Sequence, residues 1–102
     1  MMEFRIIKSP SKGVVDILRR RSSLGNQQKE IKNMDAIGLV QGRLIEMVSA
    51  TDIAEKATGV IAEDIRGNCP QSMVMLALFG DTASVEMAIE EIRRNEQEVR
   101  KK

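Results

Sequence analysis

The sequence predicts one α/β domain in which helices pack on a single β-sheet. Segments with strand character alternate with segments of helical apolar periodicity, in the order β-α-β-α-β-β-α. Residues 72–79 are almost wholly apolar, as expected for a central strand. A chain of 102 residues suffices for one hydrophobic core, and a sheet covered by helices is the natural way to build it.

The first two elements are a strand over residues 2–8 and a helix over residues 11–21. Ser11 can cap this helix, because a serine oxygen accepts a free N–H group of the first turn. The apolar residues of the helix share one face and are Val14, Val15 and Leu18. Residues 22–33 are polar and include a glycine, so they are predicted to form a loop.

A second strand and a long helix follow this loop. The strand is predicted over residues 34–40 and is ended by Gly42, after which the helix extends to about Thr58. Gly59 stands where glycine commonly ends a helix. The predicted buried stripe of this helix consists of Leu44, Met47, Val48, Thr51 and Ala54.

Two strands and a helix complete the chain. The strands are predicted over residues 60–66 and 72–79, joined by a turn of Gly, Asn, Cys, Pro and Gln. Asp81 or Thr82 caps the helix, whose predicted buried stripe is Val85, Ala88, Ile89 and Ile92. From residue 93 the chain is charged, and it is either a frayed helical extension or a disordered tail.

The composition argues against several function classes. The net charge of +1 gives no strong field toward nucleic acid or a membrane, and two phenylalanines offer little for base stacking. No apolar run reaches the roughly 18–20 residues that cross a bilayer. Histidine is absent, and the one cysteine cannot form an internal disulfide. An enzyme would depend on carboxylates, lysine or Cys69, and a cytosolic location is expected.

Three motifs together indicate a family. Residues 35–40 read Asp-Ala-Ile-Gly-Leu-Val, and the helix after them contains Ser-Ala-Thr-Asp at 49–52 and ends with Ala-Thr-Gly-Val at 57–60. Residues 79–85 read Phe-Gly-Asp-Thr-Ala-Ser-Val. This sequence resembles the bacterial microcompartment (BMC) shell domain over residues 35–92, including the Gly-Asp-x-x-x-Val that opens its second main helix.

The front of the chain resembles the usual end of that domain. Phe-Arg-Ile-Ile-Lys-Ser-Pro at residues 4–10, followed by the apolar residues of 14–18, is similar to its last strand and short helix. The resemblance is therefore to the circularly permuted branch of the family, with residues 22–33 joining the original ends. It implies one permuted, ferredoxin-like BMC domain over residues 1–92 and a charged tail over 93–102.

The resemblance also implies a function. The protein would be a non-enzymatic tile in a cytoplasmic microcompartment shell, a homohexamer that assembles with other shell proteins around enzymes, with no nucleic acid or membrane partner. Gly67, Asn68, Cys69 and Pro70 would line the central pore of the ring. Members of the family usually have a lysine at the tile edge, for which Arg43 is the nearest candidate here.

Cys69 has two interpretations. A free cysteine is often a small buried hydrophobic residue, but the turn composition around Cys69 suits a loop instead. The sequence most resembles tiles of glycyl-radical-enzyme compartments, in which a pore cysteine is associated with iron–sulfur binding. This implies a [4Fe–4S] cluster, which takes about four thiolates and would have to be shared between copies.

Two alternatives remain open at this point. A small-metabolite-sensing regulatory domain of ferredoxin-like fold, acting as a dimer, has a similar composition. Arg19, Arg20 and Arg21 could bind phosphate, although cations at the negative end of a helix dipole are the expected interpretation.

Overall fold

The computed structural model describes residues 2–22, 35–67 and 73–101. Within these residues the chain forms four strands and three helices in the predicted order. Apart from Ser22, the predicted joining loop lies outside the described residues, as do Asn68, Cys69 and Pro70. The elements are β1 (Glu3–Lys8), α1 (Lys12–Arg20), β2 (Ala36–Arg43), α2 (Leu44–Thr58), β3 (Ile61–Ile65), β4 (Met73–Gly80) and α3 (Thr82–Lys101).

The four described strands form one antiparallel sheet in the order β1-β2-β4-β3. Strands β2 and β4 are central, and their pairing runs from Ala36 opposite Gly80 to Arg43 opposite Met73. Strands β1 and β3 are the edges. Because successive side chains alternate between faces, each central strand supplies apolar residues to both sides of the sheet.

Helices cover the two faces unequally. The larger core cluster lies between the sheet and helices α2 and α3, and the smaller one lies under α1, where Leu18 packs with Ile37, Ile65, Ala77 and Phe79. The predicted α/β sandwich is confirmed. The larger cluster consists of Ala36, Val40, Met47, Ala50, Ala54, Val60, Leu76, Leu78, Val85, Ala88, Ile89 and Ile92.

The predicted helix boundaries at three positions are confirmed. The main-chain N–H of Val14 donates to Ser11 Oγ at 3.4 Å at the start of α1. Gly59 ends α2 with φ of 72°, in the left-handed region that glycine adopts without strain. The N–H of Ser84 donates to Asp81 Oδ1 at 2.8 Å, so Asp81 caps α3.

The predicted strand end at Gly42 is wrong. Strand β2 continues through Gly42, which lies opposite Val74, and α2 begins directly at Leu44. A Cβ added at Gly42 would lie 2.9 Å from Glu46 Oε1 and 3.0 Å from Met47 Cε, so the ends of these two flexible side chains would have to shift. The strand therefore continues through the glycine instead of ending there.

The predicted buried stripe of α2 is only partly correct. Met47 and Ala54 are buried as predicted, together with Ala50. In contrast, Leu44 is 57% exposed and Val48 is 64% exposed. Ala50 and Ala54 thus lie with Met47 on the face of α2 that packs in the larger core cluster, and Leu44 and Val48 lie outside that face.

Helix α3 continues to Lys101, so the charged end is a helical extension and not a disordered tail. The predicted stripe of α3 is confirmed, since all four of its residues are buried. The Arg93 guanidinium lies 4.8 Å from the centre of the Phe4 ring and links α3 to β1.

Candidate assembly interface

One side of the molecule combines exposed apolar side chains with an open sheet edge. Leu44 and Val48 are one turn apart on α2 and line a cavity of about 230 Å³ together with Thr51, Asp64 and Val74. Strand β3 is the neighbouring edge of the described sheet, so one row of its backbone groups has no strand partner there. We call the surface of Leu44, Val48, Thr51, Asp64 and Val74 the lateral face.

The lateral face has the features of a protein–protein contact. Exposed apolar residues next to each other, beside an edge strand, mark surfaces that other chains cover. The sequence pattern contained Leu44 and Val48 but assigned them to the core, because periodicity identifies an apolar face without saying what covers it.

A second apolar surface lies in a groove between α2 and α3. The groove has a volume of about 320 Å³, and Ile45, Ile53, Ile92 and Val99 supply most of its large apolar side chains. Met2 also lines this groove. The residue that precedes β1 therefore lies beside the extension of α3.

The predicted pore residues belong to the connection between β3 and β4. Gly67 is exposed and follows the end of β3, whereas Asn68, Cys69 and Pro70 lie outside the described residues. Arg43 is exposed and lies opposite Met73, at the same end of the sheet. Arg43 and Gly67 therefore lie at one end of the sheet, and the assignments of Gly67 to a pore and of Arg43 to a tile edge both stay predictions.

Helix α1 ends at this same end of the sheet. The main-chain N–H of Arg66 donates to the carbonyl oxygen of Arg21 at 2.7 Å, and Arg21 Nη1 donates to the carbonyl oxygen of Arg66 at 3.4 Å. These bonds bring Arg19 and Arg20, in the last turn of α1, to the end of β3. The sequence could not predict this cluster, because Arg21 and Arg66 are 45 residues apart.

The described residues provide few other chemical groups. No three His, Cys, Asp or Glu side chains among them are arranged to hold a metal ion. In the part of the chain that the structure describes, no helix is both long enough and apolar enough to cross a membrane.

The solved structures that match the chain over most of its length include those of two shell proteins. One is the GrpU microcompartment shell protein from Clostridiales bacterium 1_7_47FAA, which is 55% identical, with a TM-score of 0.71 over 93% of this chain and 92% of that chain. The other is the GrpU microcompartment shell protein from Pectobacterium wasabiae. It is 27% identical, with a TM-score of 0.70 over 89% of this chain and 99% of that chain. No family model and no curated protein matches the sequence.

Proposed function

Since this chain belongs to the family of microcompartment shell proteins, we propose that it is a shell tile that works as a ring of six identical copies. Membership of the family makes its role structural and not enzymatic, and locates it in the shell of a microcompartment. The observation that carries the ring is the lateral face, where Leu44 and Val48 are exposed beside the open edge of β3.

The lateral face supplies energy for association. Fully burying a leucine or valine side chain stabilises by about 1.5–3 kcal/mol. More than half of Leu44 and of Val48 is exposed, so covering them would contribute about 1–2 kcal/mol each, before the entropic cost of association. In a ring with one repeated head-to-tail contact, every copy makes this contact with one neighbour.

A charge on the lateral face tests the ring. Val48→Asp should reduce the assembly to monomers, because an unpaired carboxylate would be buried at each contact. The fold of the Val48→Asp chain should persist, since Val48 is 64% exposed in the single chain. Met87→Asp is the matched control, because Met87 is an exposed apolar residue of α3, 55% exposed, outside the lateral face. Light scattering gives the mass of each variant, and circular dichroism its helix content. A ring that survives Val48→Asp, or is lost equally in Met87→Asp, contradicts this assignment.

We also propose that the chain is circularly permuted relative to the usual BMC domain. In the unpermuted order β1 would follow α3, which requires the end of α3 and the start of β1 to be close. Met2 and Val99 line the same groove, and Arg93 lies over Phe4. A short connection could therefore join them. A chain that begins at residue 35 and carries β1 and α1 after α3 should fold, and its failure to fold would contradict the permutation.

A shared iron–sulfur cluster at Cys69 remains our proposal for the pore. The chain has one cysteine and no histidine, and the described residues offer no metal-holding group, so such a cluster fits only if several copies each supply a thiolate. Six copies would present more thiols than the four that a [4Fe–4S] cluster takes. When bound, the cluster would supply one-electron chemistry, either for electron transfer across the shell or for opening and closing the pore. The resemblance suggests glycyl-radical-type enzymes as the enclosed partners.

Anaerobic reconstitution with iron and sulfide tests the cluster. We expect a brown protein with an EPR signal after reduction, and loss of the colour in Cys69→Ser with the ring intact. A colourless ring that binds no iron contradicts the cluster and leaves the ring proposal standing. If the Cys69→Ser variant is a monomer, Cys69 is needed for assembly and the proposed pore role is wrong.

A further inference from the structure

The net charge of +1 conceals an uneven distribution of charge. Five exposed arginines lie where α1 and β3 end and where β2 enters α2. We call this surface the arginine end, and its residues are Arg19, Arg20, Arg21, Arg43 and Arg66.

The backbone holds this cluster in place. Two hydrogen bonds join Arg21 to Arg66, as described above, so the last turn of α1 is fixed to the end of β3. Arg43 ends β2, and β4 alone separates β2 from β3. Two strand spacings put the Cα atoms of Arg43 and Arg66 roughly 10 Å apart. By this register Arg43 lies opposite Met73 and Arg66 follows one position further along, so the two side chains leave opposite faces of the sheet and one extended anion at the sheet end could contact both.

The charges of the arginine end are weakly compensated. The ion pairs recorded between described residues use Lys8, Lys56 and Arg94, and none uses an arginine of this cluster. Arg43 also lies at the positive N-terminal end of α2, where a cation is disfavoured by the helix dipole. The Glu46 carboxylate offsets this in part, because it accepts the main-chain N–H of Arg43 at 2.8 Å.

We infer that the arginine end binds a multivalent oxyanion of the phosphate class. Guanidinium groups match phosphate oxygens with paired N–H donors, and a bound anion would relieve the repulsion between neighbouring arginines. The position of this site at a pore mouth rests on the proposed ring, but the binding by each chain does not. In a ring the cluster is repeated around the axis and would concentrate anionic solutes there.

Titration of the full-length protein with inorganic pyrophosphate tests the site. We expect saturable binding in calorimetry at low salt that weakens as salt rises to about 0.15 M. The paired variant Arg43→Gln/Arg66→Gln should weaken binding at least about tenfold, because each arginine makes charge-assisted hydrogen bonds to phosphate oxygens. The control Lys12→Gln/Lys56→Gln removes the same charge elsewhere and should change the affinity less than about twofold. Arg20→Gln should also weaken binding, without altering either strand end.

Each outcome decides the inference. No saturable binding, or equal weakening by both pairs of substitutions, overturns it, since general charge attraction would then account for the result. Light scattering on the same samples separates the two claims. A ring that does not bind pyrophosphate contradicts this inference alone, whereas a monomer that binds it with the expected variant pattern contradicts only the proposed ring.

Discussion

Replacing Gly38 by alanine should destabilise the protein, because α3 crosses β2 at this residue with no room for a side chain. An added Cβ would lie 2.8 Å from Ile89 Cδ1 and 3.0 Å from Val85 Cγ1. Val85 is 0% exposed and Ile89 is 3% exposed, so neither can move into open space. This contact also gives a physical reason for the glycine in the Asp-Ala-Ile-Gly motif.

The expected loss is about 2 kcal/mol, within the range of about 1–3 kcal/mol for overpacking a core. It is large against a total stability of about 5–15 kcal/mol and reduces the folding constant roughly 30-fold. The control is Gly13→Ala in α1, where the nearest atom to the new Cβ is Ser11 Oγ at 3.9 Å. This change should stabilise by about 0.5–1 kcal/mol, because alanine has the higher helix propensity.

Urea unfolding followed by circular dichroism measures both changes. The variants should be compared at one protein concentration, since assembly adds to the apparent stability. If the free energy of unfolding of Gly38→Ala lies within about 0.5 kcal/mol of the wild-type value, the result contradicts the close approach of α3 to β2. A destabilised Gly13→Ala would contradict the open surroundings of α1.

Two further predictions concern helix ends. Gly59→Ala should lower the free energy of unfolding, measured with urea, by about 1–2 kcal/mol, because φ of 72° strains a residue with a Cβ. Gly59→Asn should lower it less, because asparagine adopts this left-handed conformation more readily. Asp81→Ala should lower the thermal midpoint, because the cap of α3 is lost. The hydrogen bond from the Ser84 main chain is the largest cause that lowers the pKa of Asp81 below its ordinary value of 3.8. The stabilisation by Asp81 is thus fully present above that ordinary value and is lost as the pH falls through the lowered pKa. The difference between Asp81→Ala and the wild type should shrink from about pH 7 to about pH 3.

Most of the fold was predictable from the sequence because local signals and packing agree. The apolar run of β4 predicts a central strand, and the spacing of Val85, Ala88 and Ile89 predicts the buried face of α3. The face of α2 was harder to predict. The predicted stripe included Leu44 and Val48 and left out Ala50, because which apolar residues of a helix meet the sheet depends on a tertiary contact.

The assembly surfaces were less predictable than the fold. Leu44 and Val48 are apolar in the sequence, but their exposure follows from how α2 is rotated on the sheet. The arginine end joins Arg21 to Arg66, two positions whose separation in the chain gives no sign of contact. The pore role of Cys69 rests on resemblance and stays a prediction.

The native mass of the purified wild-type protein tests the central claim most directly. Native mass spectrometry, supported by light scattering, should find one dominant species of six copies of the 11.4-kDa chain. A dominant monomer would contradict a tile that assembles through the lateral face. A stable dimer would likewise contradict the ring of six.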